Sequence, residues 1–132
     1  MTVQRIMAAR APQALALYSH IVRAGDFVFV TGQMPIDPLT NEYVRGDIIK
    51  QAQRVLENLR IVLGTLDCDF HDVVSARVFL TDMRNFETVN RVYAAYFDED
   101  LPARTCVAVT ELAGKADIEI DLVVYKPHLS SS

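Results

Sequence analysis

The sequence predicts an α+β fold, a sheet with two helices packed on one of its faces, and three observations carry that prediction. Two segments repeat apolar residues at intervals of three and four, the spacing of an amphipathic helix. Several shorter runs are rich in Val, Ile, Phe and Thr and are bounded by Gly, Pro, Asn or Asp, as strands are. Their order is hairpin, helix, strand, helix and two closing strands.

Tyr18 to Arg23 reads as the first strand of the hairpin, Gly25-Asp26 as a tight turn, and Phe27 to Thr31 as the partner strand. Gly32 ends it, and Pro35, Pro38 and Asn41 mark a long loop. From Asp47 to Leu66, Ala52, Val55, Leu56, Leu59 and Leu63 line one face, with Asp47 as N-cap. Val73 to Thr81 is the next strand. A second helix begins near Asn85, sets Phe86, Val89, Tyr93 and Phe97 on one face, and stops before Pro102. Arg104 to Thr110 and Ile118 to Tyr125 close the sheet. In Phe27–Thr31, Val73–Thr81 and Arg104–Thr110 apolar residues occupy both faces; Val74, Ala76, Val78 and Leu80 oppose Val73 and Phe79. Two helices cover one face of such a sheet, so the other predicts a second copy of the chain.

At 132 residues the chain supports a single domain over 1–127, with 128–132 as a tail. A net charge of −4, with Lys and Arg dispersed, argues against nucleic acid as a partner. Cys68 and Cys106 lack the spacing of a disulfide or zinc framework and read as free thiols. No apolar run reaches membrane length. The first 25 residues hold Arg5, Arg10 and Arg23 and no acid, faintly like a transit peptide, but they also parse as strand sequence, which leaves the cytoplasm as the expected compartment.

The candidate chemistry lies in the closing strands. Arg104 opens one of them after Pro102-Ala103, and its planar fork suits a small carboxylate. Glu119 and Asp121 share a face of an otherwise apolar strand, where a carboxylate orients or deprotonates water. A structural Arg104–Glu119 ion pair, or acids facing solvent, explains the same residues. Thr31-Gly32-Gln33 suits a binding rim as well as an ordinary strand end. Tyr18 and His20, two apart on a strand, share a face and suit a pocket wall or a packed core. Asn90 falls between the apolar rows of its helix and needs hydrogen-bond partners. Cys106 faces the same way as Arg104 and reads as a small buried thiol or, with no His near it in sequence, a poorly supported nucleophile. Ala113-Gly114-Lys115 is a turn, lacking the rest of a phosphate loop.

Taken together, Ala11-Pro12-Gln13-Ala14, Tyr18-Ser19-His20, the run Arg23 to Pro35, Phe86-Glu87-Thr88-Val89-Asn90, Pro102 to Val107 and Ile118-Glu119-Ile120 resemble the RidA/YjgF family from about Ile6 to Tyr125. The resemblance implies a chorismate-mutase-like mixed sheet, a homotrimer with clefts between subunits, and hydrolysis of enamines and imines released by pyridoxal-phosphate-dependent dehydratases. It assigns Arg104 to the substrate carboxylate and Glu119 to the attacking water. Tyr18, Thr31, Gly32, Asn90 and Cys106 fall at pocket positions, with Thr31 where serine is usual and Cys106 contributing its backbone. No metal or organic cofactor is implied. Ala16-Leu17 stands in place of the usual Gly-Pro, and Asp98 to Leu101 is shorter and more acidic than in many relatives. An endoribonuclease or translation inhibitor, and a non-catalytic binder of small carboxylates, are the alternatives.

Overall fold

The computed structural model describes residues 3–127, and the tail at 128–132 lies outside them. Six strands, β1 (Val3–Ile6), β2 (Ile21–Ala24), β3 (Phe27–Gln33), β4 (Val73–Leu80), β5 (Ala103–Ala108) and β6 (Ile118–Tyr125), accompany two helices, α1 (Ile48–Gly64) and α2 (Phe86–Tyr93). They form one sheet in the order β1-β2-β3-β6-β4-β5. Every neighbouring pair is antiparallel except β4 and β5, so the sheet is mixed, as the resemblance implied. Parallel neighbours need a crossover, and α2 supplies it between β4 and β5. Strand β3 also runs parallel to β4, since both oppose β6, and α1 crosses between them. Crossovers of one hand put both helices on one face.

That face holds the core. Leu56, Leu59 and Leu63 of α1 are fully buried against Ile118, Ile120 and Val124 of β6 and Val28 of β3. Each side chain removed from water this way contributes about 1.5–3 kcal/mol. Asp47 caps α1, its carboxylate accepting from the Ile49 N–H at 2.8 Å. The hairpin turn sets Gly25 at φ 64°, a conformation that glycine adopts without a Cβ penalty.

The opposite face is uncovered. Phe27, Phe29, Val107 and Tyr125 are 45%, 48%, 39% and 44% exposed there, where the two-sided strand pattern required something to pack. Among the described residues, no helix is long and apolar enough to cross a membrane.

Four expectations need correction. Tyr18 to His20 precede β2 rather than belonging to it; Tyr18 is exposed and His20 buried, so they do not share a strand face. His20 is drawn inward because its Nδ1 accepts from the Ala8 N–H at 2.9 Å. Val74 does not join Ala76, Val78 and Leu80, because a register shift between Val73 and Ser75 turns it outward. Helix α2 ends at Tyr93, and Phe97 reaches the core through turns instead.

Candidate active site

The residues singled out above fall into two groups on opposite faces of the sheet. On the open face, β6 alternates buried Ile118, Ile120 and Leu122 with half-buried Glu119 and Asp121, so both acids point away from the helices. Strand β3 passes them with a register shift between Val30 and Gln33 that contains Thr31 and Gly32. The Glu119 side chain lies across Gly32 so closely that a Cβ there would overlap its carboxylate. A larger residue there would require the Glu119 carboxylate to swing aside.

The two acids differ electrostatically. Asp121 takes the Arg77 guanidinium in a fork, with Nε to Oδ1 at 3.0 Å and Nη2 to Oδ2 at 2.6 Å. Glu119 has no hydrogen bond or ion pair among the described residues. Burial pushes its carboxyl above the ordinary carboxylate range; the charge of Asp121 adds to the shift and Arg77 opposes it. A groove of about 610 Å³ opens here, lined by Tyr18, Thr31, Gly32, Arg77, Asp121 and Val123. The Tyr18 hydroxyl accepts from the Leu15 N–H at 3.1 Å, which anchors the ring at the rim.

The second group lies on the helix side of edge strand β5. Register pairs Arg104 with Ala76 and Cys106 with Val78, and both partners are core residues facing α1 and α2. Arg104 packs its guanidinium over two rings of α2, 5.6 Å from the Phe86 centroid and 4.9 Å from that of Tyr93. Phe86 and Tyr93 are two helical turns apart, about 10.5 Å along the axis, so the guanidinium sits midway between them. Asn90 occupies the same helix face between the two rings, and its amide is half-buried. Burial raises the Cys106 thiol, with Arg104 opposing, which leaves a neutral thiol and no support for a nucleophile.

The arrangement removes the Arg104–Glu119 ion pair. Glu119 aligns with Phe79 of β4, and Arg104 with Ala76 of the same strand. They stand two strands apart, about 10 Å across the sheet, and three residues along it, with side chains on opposite faces. The chain therefore presents two separate clusters of candidate residues that do not touch.

Two aromatic contributions escaped the sequence reading. Tyr93 and Phe86 were placed in the helix core, with no sign that they also seat a cation. Tyr43 lies in the loop between β3 and α1, with its ring against Gly114 and its hydroxyl buried without a partner among the described residues. Burial raises its phenol, Tyr18 and Glu119 add to the shift and Arg45 opposes it. An aromatic residue in a polar loop was the available signal. Among the described residues, no three His, Cys, Asp or Glu side chains gather as metal ligands.

Comparison with known proteins supplies a frame for these two clusters. Residues 8–126 match the family described as Endoribonuclease L-PSP. A RutC family protein of Pyrococcus horikoshii is 43% identical over 121 residues, 92% of this chain and 96% of the relative. The crystal structure of YyfA from Yersinia pestis, a protein of unknown function in the conserved Rid family, superposes with TM-score 0.90 at 33% identity, covering 94% of this chain and 99% of that one. That of E. coli TdcF with bound serine superposes with TM-score 0.87 at 34% identity, covering 93% and 98%.

Proposed function

Because this chain belongs to the endoribonuclease L-PSP family, the RidA/YjgF family, we propose that it is a cofactor-independent hydrolase of small 2-imino and 2-enamino acids, yielding keto acids and ammonia. The observation that carries the reading is the Arg104 guanidinium, held on aromatic faces at a sheet edge with no acid partner among the described residues. An arginine so placed keeps its planar fork for a carboxylate from outside the protomer. The TdcF structure with bound serine adds support, since serine presents an α-carboxylate beside a nitrogen.

The two half-sites complete one another when the β5 edge of one copy meets the open β3–β6 face of the next. Such a contact is heterologous, and it closes in a ring; a homotrimer is the assembly proposed here. In that cleft Arg104 and Asn90 hold the substrate carboxylate. Tyr18, Thr31 and Gly32 of the neighbour form the opposite wall, and Cys106 contributes backbone. Glu119 takes a proton from water as its oxygen adds to C2 of the imine. The proton passes to the substrate nitrogen to give a carbinolamine; Glu119 then relays the carbinolamine hydroxyl proton to that nitrogen, the C–N bond breaks as the C2=O bond forms, and ammonia leaves a 2-keto acid. A carboxyl raised toward neutrality by burial suits both halves of this transfer. Imines hydrolyse in water unaided, so holding the reactants in place is the larger part of the work.

The test couples the purified protein to a threonine dehydratase and measures 2-oxobutanoate and ammonia released in a scavenger-free buffer. Arg104→Ala is expected to lower kcat/KM by at least about a hundredfold, the scale of losing a buried charge-assisted carboxylate contact. Parental rates in that variant would end the proposal. The family description names a ribonuclease, and RNA cleavage that persists through repurification and depends on Glu119 would favour that alternative. Binding of the keto acid without turnover in the parent would favour a carboxylate sensor.

A further inference from the structure

We infer that Tyr93 is a positioning residue that sets the plane of the Arg104 guanidinium through a three-layer stack. The inference rests on the carboxylate-binding role proposed for Arg104 and adds the means by which that side chain is aimed.

The other forked arginines of the chain show the usual way to hold a guanidinium. Arg77 is gripped by Asp121 and Arg84 by Asp82, each through two or more N–H to carboxylate contacts. An acid partner orients the fork but occupies the same in-plane donors that a ligand needs. Arg104 has no such partner among the described residues, and its stem leaves an edge strand. Its rotamer freedom has to be restrained in another way.

The stack supplies the restraint. Tyr93 lies with one face toward the guanidinium, 4.9 Å from its centroid. Its other face is stacked on Phe97 at 4.3 Å and 17°, and Phe97 is wedged edge-on by Phe70 at 4.9 Å and 75°. Tyr93 and Phe97 are 7% and 4% exposed, so neither ring is free to turn. A cation is attracted to a ring face without using its N–H groups. The rings thus restrain the side chain while its five N–H donors stay without a protein acceptor among the described residues.

The experiment combines calorimetric titration of 2-oxobutanoate into the full-length protein with the Arg104 Nε–H resonance by NMR. Tyr93→Leu is expected to weaken binding by about three- to thirtyfold, the range of one cation–π contact, and to move the ring-shifted Arg104 resonance toward its solvent-exposed position. Tyr93→Phe, which restores the ring, should recover most of both. In an Arg104→Ala background Tyr93→Leu should add no further loss, as a double-mutant cycle requires of a residue acting through Arg104. If Tyr93→Leu does not fold, Phe86→Leu at the half-buried second ring gives the same readouts. An unchanged resonance and affinity in the leucine variants would overturn the inference. A resonance that moves as expected in a protein that never binds 2-oxobutanoate would sink the proposed function and leave the stack standing.

Discussion

Glu119 and Asp121 differ by one methylene and two positions, yet only Asp121 has a cation within reach of its fork. The consequence for Glu119 is a measurable cost. Its carboxyl is raised in the folded protein, chiefly by burial, so between its unfolded and folded pKa values the native state binds more protons than the unfolded chain. Stability therefore falls as pH rises through that window. Glu119→Gln, which mimics the protonated acid, is expected to raise the urea midpoint at pH 8. The gain should shrink as pH falls below the ordinary glutamate range, where the parent becomes protonated in both states. A lower midpoint for the variant at pH 8 would contradict the burial argument. The same variant should lose turnover, a pairing of gained stability and lost function that marks a site residue.

At the scale of elements, α1 does more than fill the core. Asn58 is fully buried and its side-chain amide donates to the Met34 and Ile36 carbonyls at 3.1 and 2.8 Å. Gln51 is nearly as buried and clasps Asp117, donating to its carboxylate at 2.8 Å and accepting from its backbone N–H at 3.0 Å. These two amides pin the β3–α1 loop and the approach to β6, the segments that deliver Tyr43 and Glu119. Asn58→Ala strands two buried carbonyls, and a loss of about 2–4 kcal/mol in urea denaturation is expected. A variant with parental stability would show that water replaces the amide freely. By periodicity Asn58 falls among the polar positions of the helix, yet it is buried, because periodicity cannot tell solvent from a loop that demands donors.

For the whole molecule, the decisive feature is that the two half-sites face away from each other across the sheet. A site assembled between copies predicts complementation. Arg104→Ala and Glu119→Gln chains, each inactive alone, should regain activity when unfolded and refolded together. In a randomly mixed ring about a quarter of the clefts would combine one chain's intact arginine with the other's intact glutamate. Activity near that fraction of the parent, in a species of trimer mass by light scattering, is the expected result. No recovery from mixed assemblies would place both residues' roles elsewhere. The exposed Phe27, Phe29 and Tyr125 on the open face are the residues such an assembly would cover.

By itself the sequence determined the element order from the hairpin onward, though not the edge strand β1 before it, together with the amphipathic face of α1, the hairpin turn at Gly25 and the presence of a sheet face that two helices leave bare. Those follow from periodicity and turn chemistry, which are local. Tertiary structure alone decided which face each candidate side chain occupies and what it meets there. Arg104 and Glu119 were compatible with an ion pair until strand order put β4 between them and register turned them apart. Tyr18 left its predicted strand, and Val74 its predicted face, because a buried hydrogen bond at His20 and a bulge at Val73 outweighed alternation. Alternation is a property of neighbours in the chain, whereas a cation's seat and an acid's solvation depend on groups brought from distant segments.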